Sequence, residues 1–147
     1  MQIAEPEKHL VLPHRTDAAE HLSLAVNPFN IFARLLIPAL PNSAKKSARG
    51  QLAVDLACTA MALERHRLAH AEFPKSLAAL APSFIAQVPP DVIGGQPLKY
   101  RREANGQFVL YSIGWNETDD GGVPFIPKGG SQPKFEAGDW AWRYPAK

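Results

Sequence analysis

The longest regular pattern of apolar positions lies in the middle third of the chain. From Asn42 or Ser43, either of which is a suitable helix N-cap, no proline occurs before Pro74. Within this stretch apolar residues recur every three to four positions, the repeat of one helix face. These residues are Leu52, Leu56, Ala60 and Leu63, with Val54, Cys58, Met61 and Leu68 widening the stripe. The spacing predicts one long helix that packs against a second layer.

The period of the pattern changes to two after residue 96. The segments PLKYRRE and QFVLYSI alternate as strands do, and Asn105-Gly106 between them is a strong hairpin signal. The later segment GDWAWRYP places Trp140, Trp142 and Tyr144 at alternate positions, which predicts a last strand. One long N-terminal helix followed by these strands predicts an α+β fold, in which the helix packs on a small three- to four-stranded antiparallel sheet.

Residues 1–27 are rich in Pro, His and Glu and have weak periodicity. Short helices are predicted over 17–26 and 27–36, and Pro38 and Pro41 end the second one. We therefore predict a single domain over 1–147, made of an N-terminal arm over 1–41 and a core over 42–147.

Composition and charge exclude several classes of protein. The 147 residues are 46% hydrophobic and 20% charged, which is typical of a soluble globular domain. The net charge of +2 is too small to indicate a nucleic-acid partner. The opening residues lack the features of a signal peptide, and no apolar run reaches the roughly 20 residues that span a bilayer. We expect no membrane insertion and a cytoplasmic location, or a periplasmic one if the chain is detached from a longer parent.

The segment YSIGWNETDDGG, residues 111–122, holds the main candidate for chemistry. Asn116, Thr118 and Asp120 place oxygen donors at every second position, and Gly121 follows. This spacing matches the first half of a calcium loop, because Ca²⁺ takes six to eight oxygen ligands that a tight loop can supply. The second half does not match, since Pro127 stands where an EF-hand needs its bidentate glutamate.

Two interpretations of this segment follow from the residues alone. Asn, Asp and Gly are favoured in turns, so the segment is compatible with an ordinary turn. Against this, Glu117, Asp119 and Asp120 place three negative charges within four residues, and a cation would relieve their repulsion. The local pattern leaves both interpretations open.

Five short blocks within residues 50–122 carry a resemblance to a known family. The blocks are His66-Arg67-Leu68, Phe73-Pro74, Ser76 to Asp91, Gly95 to Tyr100, and Phe108 to Asp120. In order and spacing they resemble the periplasmic domain of the major pseudopilins of type II secretion systems. The resemblance implies a pseudopilin-like fold for about half the chain. The N-terminal transmembrane helix and its basic leader, which that family has, are not matched here.

The resemblance also implies a calcium site in the loop. Its side-chain ligands would be Asn116 and the pair Asp119 and Asp120, and its backbone ligands the carbonyl groups of Ile113 and of a residue near Thr118. Asn116 stands where the family usually has Asp, which removes one charge and should weaken the affinity for Ca²⁺. Ala71 stands where the family often has a helix-ending glycine.

Other candidate chemistry is weaker. His66 and His70 lie four residues apart on the predicted helix, but no third zinc ligand is evident. Cys58 lies on the apolar stripe and is expected in the core rather than as a nucleophile.

The sequence therefore predicts a calcium-binding, pseudopilin-like domain that acts through contacts with a protein partner or by self-association. The alternative is a Ca²⁺-dependent hydrolase whose ligand is a small ester or lactone, with the metal activating water or the carbonyl group.

Overall fold

A computed structural model of the chain describes residues 39–104, 106–130 and 133–144. It also describes two short strands, β1 (Ala4–Glu5) and β2 (Leu10–Val11), which pair antiparallel. The helices predicted over 17–26 and 27–36 lie outside the described residues.

The long helix predicted from the apolar repeat is present as α1 (Ala39–His70), 32 residues in length. It begins before the predicted caps Asn42 and Ser43, so the predicted start of the helix is wrong and Pro41 lies in its first turn. Proline is tolerated here because the first four backbone N–H groups of a helix have no partner within it. At about 1.5 Å per residue the helix is about 48 Å long.

One face of α1 is buried as predicted. Leu52, Leu56, Ala60 and Leu63 all belong to the core, and each buried leucine stabilises the fold by about 1.5–3 kcal/mol. The prediction that four further residues widen this buried face is wrong. Val54, Met61 and Leu68 are 56%, 60% and 72% exposed, and Cys58 is exposed as well. Among the described residues, no helix combines the length and apolar character needed to span a membrane.

The predicted strands form one antiparallel sheet in the order β3-β4-β5. Its strands are β3 (Lys99–Arg102), β4 (Phe108–Ser112) and β5 (Trp140–Tyr144). Lys99 is paired with Tyr111 across β3 and β4, and Ser112 with Trp140 across β4 and β5. The coarse α+β prediction is confirmed: one helix packs against a small three-stranded sheet.

The central strand β4 is buried along its whole length. Phe108 and Leu110 belong to the same core cluster as the buried face of α1. Val109 and Tyr111 lie on alternate positions and therefore on the opposite face, where a Cβ on Gly122 would overlap the Val109 side chain. The second face of β4 is thus covered by the chain that follows the strand.

The segment between α1 and β3 connects the two layers. A 3₁₀ helix, Leu77–Leu80, buries Leu77 and Leu80 in the core. Phe73 packs edge-on against Phe108 with ring centroids 4.9 Å apart. Tyr100 donates a hydrogen bond from its hydroxyl group to the Pro74 carbonyl oxygen, at 2.9 Å. These contacts hold the C-terminal end of α1 against the sheet.

The residue after α1, Ala71, has a φ of +61°. This is the left-handed conformation that ends many helices, and glycine adopts it without the steric cost that a Cβ imposes. We expect Ala71→Gly to raise the free energy of unfolding by about 0.5–1 kcal/mol, measured by urea denaturation followed by circular dichroism.

The matched control is Ala53→Gly, on an exposed position inside α1. The same change there should lower the free energy of unfolding by about 1 kcal/mol. A loss of stability in both variants would contradict the assignment of strain to Ala71.

Candidate metal centre

The loop that follows β4 is held close to the start of β5. Gly114 has a φ of +70°, and a Cβ at this position would overlap the carbonyl oxygen of Gly138. Trp115 is buried next to it. The remaining loop residues, Asn116 to Asp120, are exposed. The loop is therefore anchored at its first residues and projects its acidic part into solvent.

A buried carboxylate, Asp91, organises the beginning of the loop. It is 2% exposed. One of its oxygens accepts hydrogen bonds from the Ile93 backbone N–H at 2.9 Å and the Ser112 hydroxyl group at 2.8 Å. The other accepts from the Ile113 backbone N–H at 3.3 Å. The Ser112 oxygen in turn accepts from the Gly114 N–H. Asp91 thus ties the segment before β3 to the point where β4 ends.

Burial raises the pKa of Asp91 above its ordinary value, because a charged carboxylate is costly to remove from water. The three hydrogen bonds act in the opposite direction, since each one favours the charged form. The negative charge of Asp139 raises the pKa further. Two buried carboxylates therefore influence each other beneath this loop.

Asp139, immediately before β5, is the second of them and is 1% exposed. Its Oδ2 accepts a hydrogen bond from the Gly122 backbone N–H at 2.6 Å. Its Oδ1 is buried and, across the described part of the chain, accepts no hydrogen bond. Burial raises the pKa of Asp139, and the charges of Asp120 and Asp119 add to this effect against the hydrogen bonds from the backbone. A buried carboxylate oxygen without a donor is unfavourable unless a cation or a proton lies against it.

The predicted side-chain ligands have different surroundings. Asp119 accepts hydrogen bonds from the Tyr111 hydroxyl group at 3.1 Å and the Gly121 backbone N–H at 3.0 Å. It also lies 3.6 Å from the Lys99 ammonium group. The Gly121 hydrogen bond is the main reason that the pKa of Asp119 is lowered. Asp119 is therefore held as a charged carboxylate by protein groups.

Asn116 and Asp120 are brought together by the loop. The Asn116 side-chain amide donates to Asp120 Oδ2 at 3.1 Å. The Thr118 hydroxyl group donates to the Asn116 carbonyl oxygen at 3.2 Å, and Glu117 adopts a positive φ of 54°. Asn116 and Asp120 also line an open cavity of about 680 Å³ together with Gly138. Of the predicted side-chain ligands, these two share a cavity with Gly138, the residue before Asp139.

Across the described ranges, no group of three or more His, Cys, Asp or Glu side chains is arranged to hold a metal ion. A calcium site built here would depend on amide and backbone oxygens as well as carboxylates, as calcium sites in proteins do. The unpartnered Oδ1 of Asp139 and the oxygens of Asn116 and Asp120 are hard donors of the kind that Ca²⁺ prefers. These residues fit a calcium ion in chemical type.

The other candidates of the sequence have different environments. The rings of His66 and His70 are stacked with centroids 4.2 Å apart, and both pack against Phe84. Their Nδ1 atoms lie within hydrogen-bonding distance of the backbone oxygens of Glu72 and His66, respectively. Cys58 is exposed, so its expected place in the core is wrong.

Sequence reasoning did not single out Asp139 as a site residue. It lies in GDWAWRYP, where the alternating aromatic residues indicated only a strand. No signal in the local sequence marks Asp139 as buried, because aspartates are mostly exposed in folded proteins. Asp91 was noted only as the end of a block of the resemblance.

The structure predicts that Asp91→Asn will destabilise the protein. The amide that replaces one oxygen would face a backbone N–H, so one buried donor would lose its acceptor. We expect the free energy of unfolding to fall by about 1–3 kcal/mol in urea denaturation at neutral pH.

The control for this prediction is Asp55→Asn on α1, which removes the same charge from a carboxylate that accepts one exposed hydrogen bond from Gln51. Its effect should stay within about 0.5 kcal/mol. Equal effects of the two substitutions would mean that the Asp91 network contributes no more than a surface contact.

The chain was compared with protein-family models, with curated proteins and with solved structures, and no match was found.

Proposed function

We propose that this chain is a calcium-binding, pseudopilin-like α+β domain that acts through contacts with other protein surfaces. The observation that carries the calcium part is the buried Oδ1 of Asp139, which accepts no hydrogen bond from the residues that the structure describes. It lies beside a loop in which Asp119 and Asp120 add two more negative charges. A divalent cation would supply the missing partner and offset the repulsion among these carboxylates.

In this proposal the loop supplies most of the ligands. They are the set expected from the resemblance, namely Asn116, Asp119, Asp120 and the carbonyl groups of Ile113 and Thr118, with Asp139 added. Asp120 and Asn116 would exchange their mutual hydrogen bond for the metal. Asp119 would have to leave Lys99 and Tyr111, which should reduce the affinity.

The role of calcium in this proposal is structural. A bound ion would join the loop after β4 to Asp139 at the start of β5, and its binding free energy would add to the stability of the folded state. The amide of Asn116 brings no charge to the site, so we expect weaker binding than an aspartate there would give.

The first test is calorimetric titration of the EDTA-treated protein with Ca²⁺. We expect one site in the wild-type chain and no measurable binding in the double variant Asp119→Ala/Asp120→Ala. Asp139→Asn keeps the size of the side chain and should weaken binding by about tenfold or more, because it removes a charged ligand.

Asp55→Asn is the control for the loss of one negative charge, and we expect it to bind Ca²⁺ as the wild type does. Circular dichroism of each variant shows whether it is folded. Absence of binding by the wild type would refute the calcium part of the proposal. Normal binding by Asp139→Asn would remove that residue from the ligand set.

The exposed apolar residues of α1 support the part of the proposal that concerns protein contacts. Val54, Met61 and Leu68 are spaced by seven residues, so they lie on one side of the helix, as in helix-to-helix packing. Two copies packed antiparallel about Met61 would place Val54 of one against Leu68 of the other. The same arrangement places Asp55 near Arg67 of the second copy, because each lies six residues from Met61. We therefore propose self-association through this stripe.

Sedimentation velocity over a range of concentrations tests the self-association. We expect the wild type to associate and Met61→Lys to associate about tenfold more weakly, since a charge would be buried at the centre of the contact. Val123→Lys changes an apolar residue of similar exposure outside α1 and should behave as the wild type. A wild-type chain that stays monomeric would refute this surface as a contact between copies.

A cavity beside the loop favours one alternative function. The cavity of about 680 Å³ that Asn116 and Asp120 line is bounded on its other side by Val123, Phe125 and Ile126. A metal on the loop would then act as a Lewis acid toward a small ester or lactone in the cavity. Hydrolysis of such substrates that requires Ca²⁺ and is lost in Asp139→Asn would favour this alternative over a structural ion.

A further inference from the structure

A second pocket, separate from the loop carboxylates, lies between the first half of α1 and the start of β5. It has a volume of about 190 Å³. Its lining includes the cationic residues Lys45, Lys46 and Arg49 of α1. It also includes aromatic residues that are far apart in the sequence, namely Trp115, Phe135 and Trp140. The pocket therefore combines positive charge with an aromatic wall.

The aromatic wall is held in place by its own contacts. The Trp140 indole N–H donates a hydrogen bond to the Phe135 carbonyl oxygen at 3.0 Å. The two rings pack edge-on with centroids 6.2 Å apart. Trp115 is only 7% exposed, and the Lys45 ammonium group lies 5.4 Å from its ring centroid. A wall fixed in this way favours binding, because little conformational freedom remains to be lost.

Arg49 is the residue best placed to recognise a ligand. Its guanidinium group lies over the Phe135 ring, 3.3 Å from the centroid. Stacking on an aromatic ring occupies the face of a guanidinium group and leaves the N–H groups at its edge available. In the part of the chain that the structure describes, Arg49 donates no hydrogen bond and forms no ion pair. The edge of a stacked arginine matches the two oxygens of a carboxylate.

The charge of the pocket also favours an anion. Three cationic side chains line it against one carboxylate, that of Glu136. Lys46, like Arg49, has no ion-pair partner among the described residues. In addition, the buried indole N–H of Trp115 has no hydrogen-bond acceptor among the residues that the structure describes. The pocket thus has an excess of donors and of positive charge.

The size of the pocket limits the ligand. Pockets for drug-sized molecules measure roughly 300–1,000 Å³, so about 190 Å³ accommodates one small group. An inorganic anion would satisfy the cations but would make little contact with the part of the pocket lining that Phe135 and Trp140 supply. A carboxylate carried on a ring or a short apolar body would contact both the cationic and the aromatic residues of the lining.

We propose that this pocket binds a small carboxylate with an aromatic body, either as a free molecule or as the C-terminal residue of a peptide. Arg49 pairs with the carboxylate through the edge of its guanidinium group, and Lys46 adds a second positive charge. Phe135 and Trp140 contact the apolar body.

The experiment is a titration of ¹⁵N-labelled protein with phenylacetate, observed through the indole N–H resonances. We expect saturable shifts of the Trp115 and Trp140 resonances, with Trp142 unchanged because it lies outside the pocket. Phenylacetamide has the same ring but no charge, and we expect its affinity to be lower than that of phenylacetate by about tenfold or more. Gly-Gly-Phe with a free or an amidated C-terminus distinguishes a peptide from a free molecule as the source of the carboxylate.

Arg49→Gln should weaken phenylacetate binding by about tenfold or more. Arg49→Lys keeps the charge, loses the paired geometry and should bind with intermediate affinity. Lys75→Gln is the matched control, because it removes one exposed positive charge beyond the opposite end of α1. Equal binding of phenylacetate and phenylacetamide would overturn the proposal. So would equal effects of Arg49→Gln and Lys75→Gln, or inorganic phosphate binding as tightly as phenylacetate.

The inference goes beyond the proposed calcium site and does not depend on it. Titrations in EDTA and in Ca²⁺ separate the two, since carboxylate binding in EDTA would establish the pocket even in a chain that binds no calcium. Carboxylate binding that is absent in both conditions would refute the pocket and leave the calcium proposal to its own test.

Discussion

The burial of β4 on both faces is the constraint on which the rest of the described structure depends. On one face Phe108 and Leu110 pack into the core cluster that contains the inner side of α1. On the other, Val109 is fully buried and the backbone near Gly122 comes into contact with it. A central strand covered in this way requires the chain after it to turn back across the sheet. The loop after β4 must therefore lead the chain to the face of the sheet on which Val109 lies.

The return of the chain across the sheet buries two carboxylates, and the protein compensates the cost of burying them to different extents. At the beginning of the loop, Asp91 receives three hydrogen bonds that offset part of the cost of burying its charge. At the end of the loop, Asp139 is satisfied through Oδ2 but not through Oδ1. The first carboxylate has the surroundings of a structural group. The second is incomplete, and this difference is why the calcium proposal centres on Asp139.

Trp115 connects the two candidate sites. Its neighbours along the chain are Gly114, which is pressed against the Gly138 carbonyl oxygen, and Asn116, which faces Asp120. Its own side chain is directed into the core cluster and lines the pocket at α1. One tight turn therefore positions both Asn116, in the acidic loop, and Trp115, in the lining of the cationic pocket.

The sequence by itself determined the elements and the coarse fold, because they depend on local periodicity. The three-to-four-residue repeat gave the buried face of α1, and the two-residue repeats gave the three strands of the sheet. It did not determine how far α1 extends or that Val54 and Met61 stay exposed, because a repeat identifies an apolar stripe and not how much of it another layer covers. The acidic loop was recognised from its composition for the same local reason.

Only the tertiary structure decided which groups from distant parts of the chain come together. The burial of Asp91 and Asp139 beneath one loop joins residues 48 positions apart, and no local pattern marks an aspartate as buried. The pocket of Arg49, Trp115 and Phe135 likewise draws on a helix, a loop and the segment before β5. Periodicity is a property of residues that are close in the sequence. Burial, polar atoms without hydrogen-bond partners, and pockets depend on how the helix, the sheet and the loops pack together.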